Sequence, residues 1–154
     1  MQFSSQQDIH APIAAAFAVL SDFGAMEAAA KGWKVEAKRL DKLTEVGVGM
    51  SWDIAFKMRG KRREMIVDLV EFSRPDTLGF AGVSSAFEVS VTVALTEVTP
   101  DKTRMKVVFD ITPRSLGARL MIQSAKLGKQ SLNKKYDQRI AGFAKAITAR
   151  AAAS

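Results

Sequence analysis

Thr103-Arg104-Met105-Lys106-Val107-Val108-Phe109-Asp110-Ile111-Thr112-Pro113-Arg114-Ser115-Leu116 is the stretch on which the reading of the fold turns. Up to Pro113 the apolar residues Met105, Val107, Phe109 and Ile111 recur at every second position, the mark of a strand with one buried face. Pro113 stops that ladder, because it has no N–H to donate. Beyond it the spacing changes: Met121, Ala125, Gly128, Leu132, Tyr136, Ile140, Phe143 and Ile147 advance in steps of three and four. That spacing predicts one long amphipathic helix from about Leu116 to Arg150, with the tail Ala151–Ser154 fraying.

Upstream of this switch the alternation repeats. Phe87, Val89, Val91, Val93 and Leu95 form the strongest period-2 run, with Glu88, Ser90 and Thr92 facing the other way. Trp52, Ile54, Phe56 and Met58 share one face of another strand, read over Met50–Arg59. Lys61–Phe72 and Thr77–Val83 read as strands too. Met65-Ile66-Val67 is apolar on both faces, so the inward face of the first of these stays open. Pro100-Asp101-Lys102, Arg74-Pro75-Asp76, Gly60 and Gly47-Val48-Gly49 read as turns. Trp33–Leu40 reads as a strand, and residues 2–9 as the first. Between them, Pro12 suits a first helical position. Ile13, Phe17 and Leu20 follow on one face of a short helix. Ser21 or Asp22 caps a second short helix that Gly32 ends.

The order is strand, two short helices, six strands, long helix. Short turns between consecutive strands imply an antiparallel sheet. The fold class is therefore α+β: a sheet of about seven strands with two short helices and one long C-terminal helix. The length, 154 residues, fits a single domain over 1–154. A sheet closed on one side by one long helix leaves space between the two.

Composition bounds the chemistry. There is no cysteine, which removes disulfides and thiolate metal sites and suits a reducing cytoplasm. The N-terminus has no basic n-region followed by an apolar stretch, so no signal peptide is expected. No apolar run approaches the roughly 20 residues that span a bilayer. The net charge of +7 is a property of the C-terminal end: from Pro113 onward there are nine basic residues and one acid, Asp137, and the rest of the chain is near neutral. A second basic cluster, Lys57, Arg59, Lys61, Arg62 and Arg63, occupies one hairpin. It suits weak contact with an anionic membrane surface, or simply a solvated hairpin that guards an edge. Nucleic acid is disfavoured, because no aromatic residues interleave for base stacking.

Catalytic motifs are sparse. Gly47-Val48-Gly49 lacks the third glycine and the lysine of a phosphate loop. His10 is the one histidine, so neither a zinc site nor a Ser-His-Asp arrangement has its parts. No metal or cofactor is expected. The carboxylates Asp53, Glu64, Asp68, Glu71, Glu88 and Asp110 mostly fall opposite the best apolar positions. Tyr136, on the apolar helix stripe, is the polar group best placed to meet a ligand; plain helix–sheet packing explains it equally. Gly128 interrupts a good helix at about 1 kcal/mol relative to alanine. Close approach to the sheet or to a ligand accounts for it, and so does a kink.

The chain resembles the superfamily (SRPBCC) that joins START lipid-transfer domains, the birch-pollen-allergen group and the polyketide cyclase/dehydrase proteins. The residues carrying the resemblance are Ile9-x-Ala11-Pro12-x-x-x-x-Phe17-x-x-x-Ser21-Asp22 and Gly47-x-Gly49-x-x-Trp52. Pro75-x-x-Leu78, Leu95-Thr96-Glu97-Val98-Thr99-Pro100-x-x-Thr103-Arg104 and the final helix follow. The resemblance implies a helix-grip fold, a curved sheet around the C-terminal helix with an apolar pocket. It implies a small hydrophobic ligand such as a lipid, quinone or polyketide, or alternatively a cyclase/dehydrase acting on such a molecule. In that alternative Tyr136, with Ser124 or Ser131, would move a proton.

The expected ligand-binding residues are Trp52, Phe56, Met58, Phe87, Val91, Met105, Phe109, Met121, Gly128 and Tyr136. The helix from Asp22 to Lys31 is expected at the entrance. The glycine-bearing segments near Gly60, Gly79 and Gly82 are expected to supply a movable lid.

Overall fold

The computed structural model describes residues 1–153. Seven strands form one antiparallel sheet in the order β1-β7-β6-β5-β4-β3-β2. They are β1 (Gln2–Ile9), β2 (Glu36–Arg39), β3 (Ser51–Met58), β4 (Lys61–Ser73), β5 (Thr77–Val83), β6 (Phe87–Thr99) and β7 (Lys102–Pro113). Two short helices, α1 (Ile13–Leu20) and α2 (Phe23–Gly32), follow β1; α3 (Leu116–Leu127) and α4 (Lys129–Ala153) close the chain. The helix-grip arrangement read from the sequence is the one observed.

Register explains how the inner face is built. Phe109 pairs with Phe3 and Val91, and Val107 with Ser5 and Val93, so the period-2 residues of three strands share one face. Trp52 pairs with Val67 and Ile54 with Met65. This settles the ambiguous strand: Arg63, Met65, Val67 and Leu69 turn inward. A register shift between Leu69 and Glu71 then changes the parity. Phe72, three residues after Leu69, also turns inward, where its ring meets Phe17 of α1 at 5.5 Å.

Two clusters fill the ends of this inner face. At one end α1 sets Phe17 and Leu20 into a core with Ile9, Leu95 and Met105. Thr103, fully buried, donates its hydroxyl hydrogen to the Ala11 carbonyl at 2.8 Å and ties α1's entry to β7. At the other end Ala118 and Ile122 of α3 pack with Phe87, Met58 and Met121.

Three expectations are corrected. The C-terminal helix is two helices, broken at Gly128, whose N–H bonds the Ala125 carbonyl as the cap of α3 while its own carbonyl starts α4. Gly128 is exposed, and a Cβ there would meet nothing closer than Ala125 O at 3.9 Å. The glycine serves the break and not a close approach. Secondly, α4 continues helical to Ala153 where fraying was expected; Ser154 lies outside the described residues. Thirdly, the strand expected over Trp33–Leu40 is limited to Glu36–Arg39, because Trp33 caps α2 and Lys34 takes a positive φ of 61°.

Candidate functional site

Between the middle of the inner face and α4 lies a cavity of about 1130 Å³. Its floor is laid by residues of six strands: Ala37, Trp52 and Ile54, Val67, Leu78 and Phe80, Val91 and Val93, Val107 and Phe109. Its roof is one face of α4, with Tyr136, Arg139, Ile140 and Phe143 at helical spacing. The side wall is α2, nucleated where Asp22 accepts the Ala25 N–H at 3.2 Å. This turns Phe23, Met26, Glu27 and Ala30 toward the space at i, i+3, i+4 and i+7. The exposed lining residues Trp33, Arg139, Gly142 and Ala146 mark the mouth, between the end of α2 and the middle of α4. There the Trp33 ring, in a residue 68% exposed, stands 6.5 Å from that of Phe143.

The cavity is apolar with few polar groups, the composition typical of small-molecule sites. Among the described lining residues only Glu27 and Arg139 carry charge. The indole N–H of Trp52 donates to Glu27 Oε1 at 2.7 Å. That bond locks the ring where Phe23 and Phe80 pack against it, at 5.4 and 6.4 Å. The Tyr136 hydroxyl donates to the Val107 carbonyl at 2.8 Å. Burial pushes the Tyr136 pKa above its ordinary value, so the phenol stays protonated at neutral pH. One residue on, Asp137 accepts from the Ser5 hydroxyl and from Gln7 Nε2, which fastens α4 to β1 beside the cavity.

Of the ten residues expected on the wall, the structure brings Trp52, Val91, Phe109 and Tyr136 together around the cavity. Six lie elsewhere. Phe56 sits beyond Ile54 on β3, opposite Arg63. Met58, Phe87 and Met121 belong to the cluster under α3. Met105 is fully buried in the core at the α1 end, and Gly128 is exposed at the helix break. Met121 and Gly128 are displaced by the helix break, and the four strand residues share one reason. Alternation selects a face of the sheet but not a position along it, and the bulkiest residues plug the ends. Ser124 and Ser131 are exposed and take no part in the cavity.

The expected lid is corrected as well. Gly79 and Gly82 are buried inside β5, and a Cβ on Gly82 would lie 2.6 Å from Val89 Cγ2 and 2.7 Å from Met65 Sδ. They are close-packing glycines, not hinges. Gly60, with a φ of 76°, makes the exposed β3–β4 turn. In that hairpin Arg63 turns inward and Arg62 pairs with Glu36 and Glu64; Lys57, Arg59 and Lys61 are exposed, Lys57 on the outer face, Arg59 in the turn and Lys61 opposite Met58 at the end of the inner face. His10 is exposed, and no group of three or more His, Cys, Asp or Glu that could hold a metal occurs among the described residues. The lining residues that sequence reasoning missed lie on the strands (Ile54, Val67, Val93 and Val107 among them), on α4 (Arg139, Ile140 and Phe143) and on α2 (Phe23, Met26, Glu27 and Ala30), the last set apart by having none of its residues expected on the wall. For α2 the i, i+3, i+4, i+7 spacing was the available signal.

The family model described as polyketide cyclase/dehydrase and lipid transport matches residues 1–148. The chain belongs to this family. Among solved structures it is similar to TTHA0849 from Thermus thermophilus, with a TM-score of 0.72 at 13% identity, covering 97% of this chain and 99% of that one. It is also similar to the ZhuI aromatase/cyclase from Streptomyces sp. R1128 (TM-score 0.66, 13% identity, 94% and 93% covered). A START superfamily protein from Mycobacterium smegmatis gives a TM-score of 0.59 at 13% identity over 89% and 97%. At these identities the likeness is one of fold. No curated protein matches in sequence. Family and fold together place the chain in the helix-grip superfamily that its motifs resemble.

Proposed function

We propose that this protein binds and shelters a small hydrophobic molecule, of the lipid, quinone or polyketide-like class, in the space between sheet and α4. The observation that carries the reading is the cavity itself: about 1130 Å³, walled by aliphatic and aromatic side chains, and open at one mouth. Water held there makes few hydrogen bonds, so an apolar guest displaces it favourably. Trp52, Val91, Phe109 and Tyr136 are proposed contacts, joined by Phe23, Met26, Ile54 and Phe80. Arg139 at the rim and Glu27 on the wall offer polar ends to an amphiphile.

The family also contains cyclases and dehydrases, and Tyr136 and Glu27 are the groups such chemistry would use here. Both are engaged, the phenol with a backbone carbonyl and the carboxylate with an indole. Proton transfer would require the Tyr136 O–H to leave the Val107 carbonyl or the second Glu27 oxygen to serve, whereas the apolar wall serves binding as it stands. The binding reading is therefore preferred.

The test is to purify the protein natively, denature it and analyse the released small molecules by mass spectrometry. A stoichiometric apolar compound supports binding. A mixture of substrate and cyclised or dehydrated product, converted by wild type but not by Tyr136→Phe or Glu27→Gln, supports the enzyme. Nothing released, with no uptake of added lipids or quinones, refutes both.

A further inference from the structure

Helix α3 is apolar on two opposite faces, and the core uses one of them. Ala118 and Ile122 are buried against Phe87. Leu116, Leu120 and Leu127 are 75%, 60% and 92% exposed. At 3.6 residues per turn these three leucines fall within about 40° of one another and about 180° from the buried pair. A single exposed leucine is ordinary; three on one stripe are a surface with a purpose. The charges around the stripe have one sign. From Arg114 to Lys135 the chain carries Arg114, Arg119, Lys126, Lys129, Lys134 and Lys135 and no acid. The β3–β4 hairpin meets the opposite, buried side of α3 through Met58, so the cations beside the stripe are those of α3 itself, Arg119 and Lys126.

We propose that α3 docks this protein on anionic membrane surfaces. Leu116, Leu120 and Leu127 enter the boundary between headgroups and acyl chains, while Arg119 and Lys126, which flank the stripe, meet lipid phosphates and carboxylates. A helix of this kind lies in the interface plane, held by buried apolar area together with attraction to anionic lipid. The charge selects the bilayer over a second copy of the chain. A self-associated pair would set Arg119 and Lys126 of each copy against a cationic surface. The inference does not depend on what the cavity holds.

The experiment is flotation of the full chain with phosphatidylcholine vesicles, with and without phosphatidylserine. Wild type floats with the serine lipid present, and rising salt weakens it. Leu120→Asp/Leu127→Asp loses binding on the order of tenfold or more, from lost leucine insertion and added repulsion. Arg119→Glu/Lys126→Glu loses binding mainly at low salt. All these side chains are exposed, so melting temperature and uptake of a neutral apolar dye by the cavity stay at wild-type values in every variant. Equal binding to both vesicle types, no binding to either, or undiminished binding by the double aspartate variant overturns the proposal. So does a wild-type dimer that the aspartate variant dissolves in the absence of vesicle binding.

Discussion

Replacing Glu27 by alanine tests how the wall of the cavity is held. Trp52 is 5% exposed, and its indole N–H has Glu27 Oε1 as its acceptor at 2.7 Å. A hydrogen bond to a charged group contributes about 1.5–3 kcal/mol, and a buried donor left alone costs about 1–3 kcal/mol. Two effects reduce the loss. Alanine is the better helix former by a few tenths of a kcal/mol. Water entering so large a cavity can also satisfy part of the indole's demand. The expected net destabilisation is about 1–2 kcal/mol, or roughly 2–8 °C in melting temperature for a chain of this size. Glu27→Gln keeps a carbonyl oxygen at the same reach and should recover half or more of the difference. The assay is thermal denaturation of Glu27→Ala, Glu27→Gln, Trp52→Phe and Glu27→Ala/Trp52→Phe. The double variant should be less destabilised than the sum of the singles, because each removes the same bond. Additive losses, or a glutamine variant no better than alanine, would refute the reasoning.

Other substitutions probe other links. Gly82→Ala forces a Cβ against Val89, whose branched side chain has little freedom, and against Met65. It should destabilise by about 1–3 kcal/mol in urea denaturation. Gly128→Ala meets open space at an exposed helix break, so it should be neutral or stabilise by up to about 1 kcal/mol, with helical circular dichroism unchanged or raised. Asp41 accepts hydrogen bonds from the Arg39 guanidinium and from the Ser51 and Leu43 N–H groups, which hold its carboxyl well below the usual carboxylate range. A depressed folded-state pKa stabilises fully above the unfolded value and is lost as pH falls through the folded one. The stability gap between wild type and Asp41→Asn should therefore be constant near neutrality and shrink below about pH 4 in urea titrations.

The sequence and the structure agree where local pattern suffices. The runs in β6 and β7 have an uninterrupted period of two, and Pro113 marks the change to helix. In β4 the inward face stayed open because Ile66 puts an apolar side chain on the outer, exposed face, and the shift after Leu69, a consequence of pairing with β5, then exchanges the faces. The cavity was legible as a consequence of the fold, and only partly as a set of residues. Trp52, Val91, Phe109 and Tyr136 were found because they lie on inward stripes near mid-sheet. Met58 and Phe87 share those stripes but meet α3, and Met121 belongs to α3, whose position depends on the break at Gly128. Smaller residues, Val67, Val93 and Val107, border the space because they fail to fill it.

The most direct test of the cavity as a binding site is titration with phenylnaphthylamine, a neutral apolar dye, of wild type and of Val91→Phe/Val67→Phe. Both valines stand on the cavity floor beneath α4, so two added rings narrow the guest's space without disturbing the outer surface. Wild type should bind the dye at one molecule per chain, and the narrowed variant should lose several-fold in affinity while melting at or above the wild-type temperature. Equal dye binding by the two proteins would contradict the account.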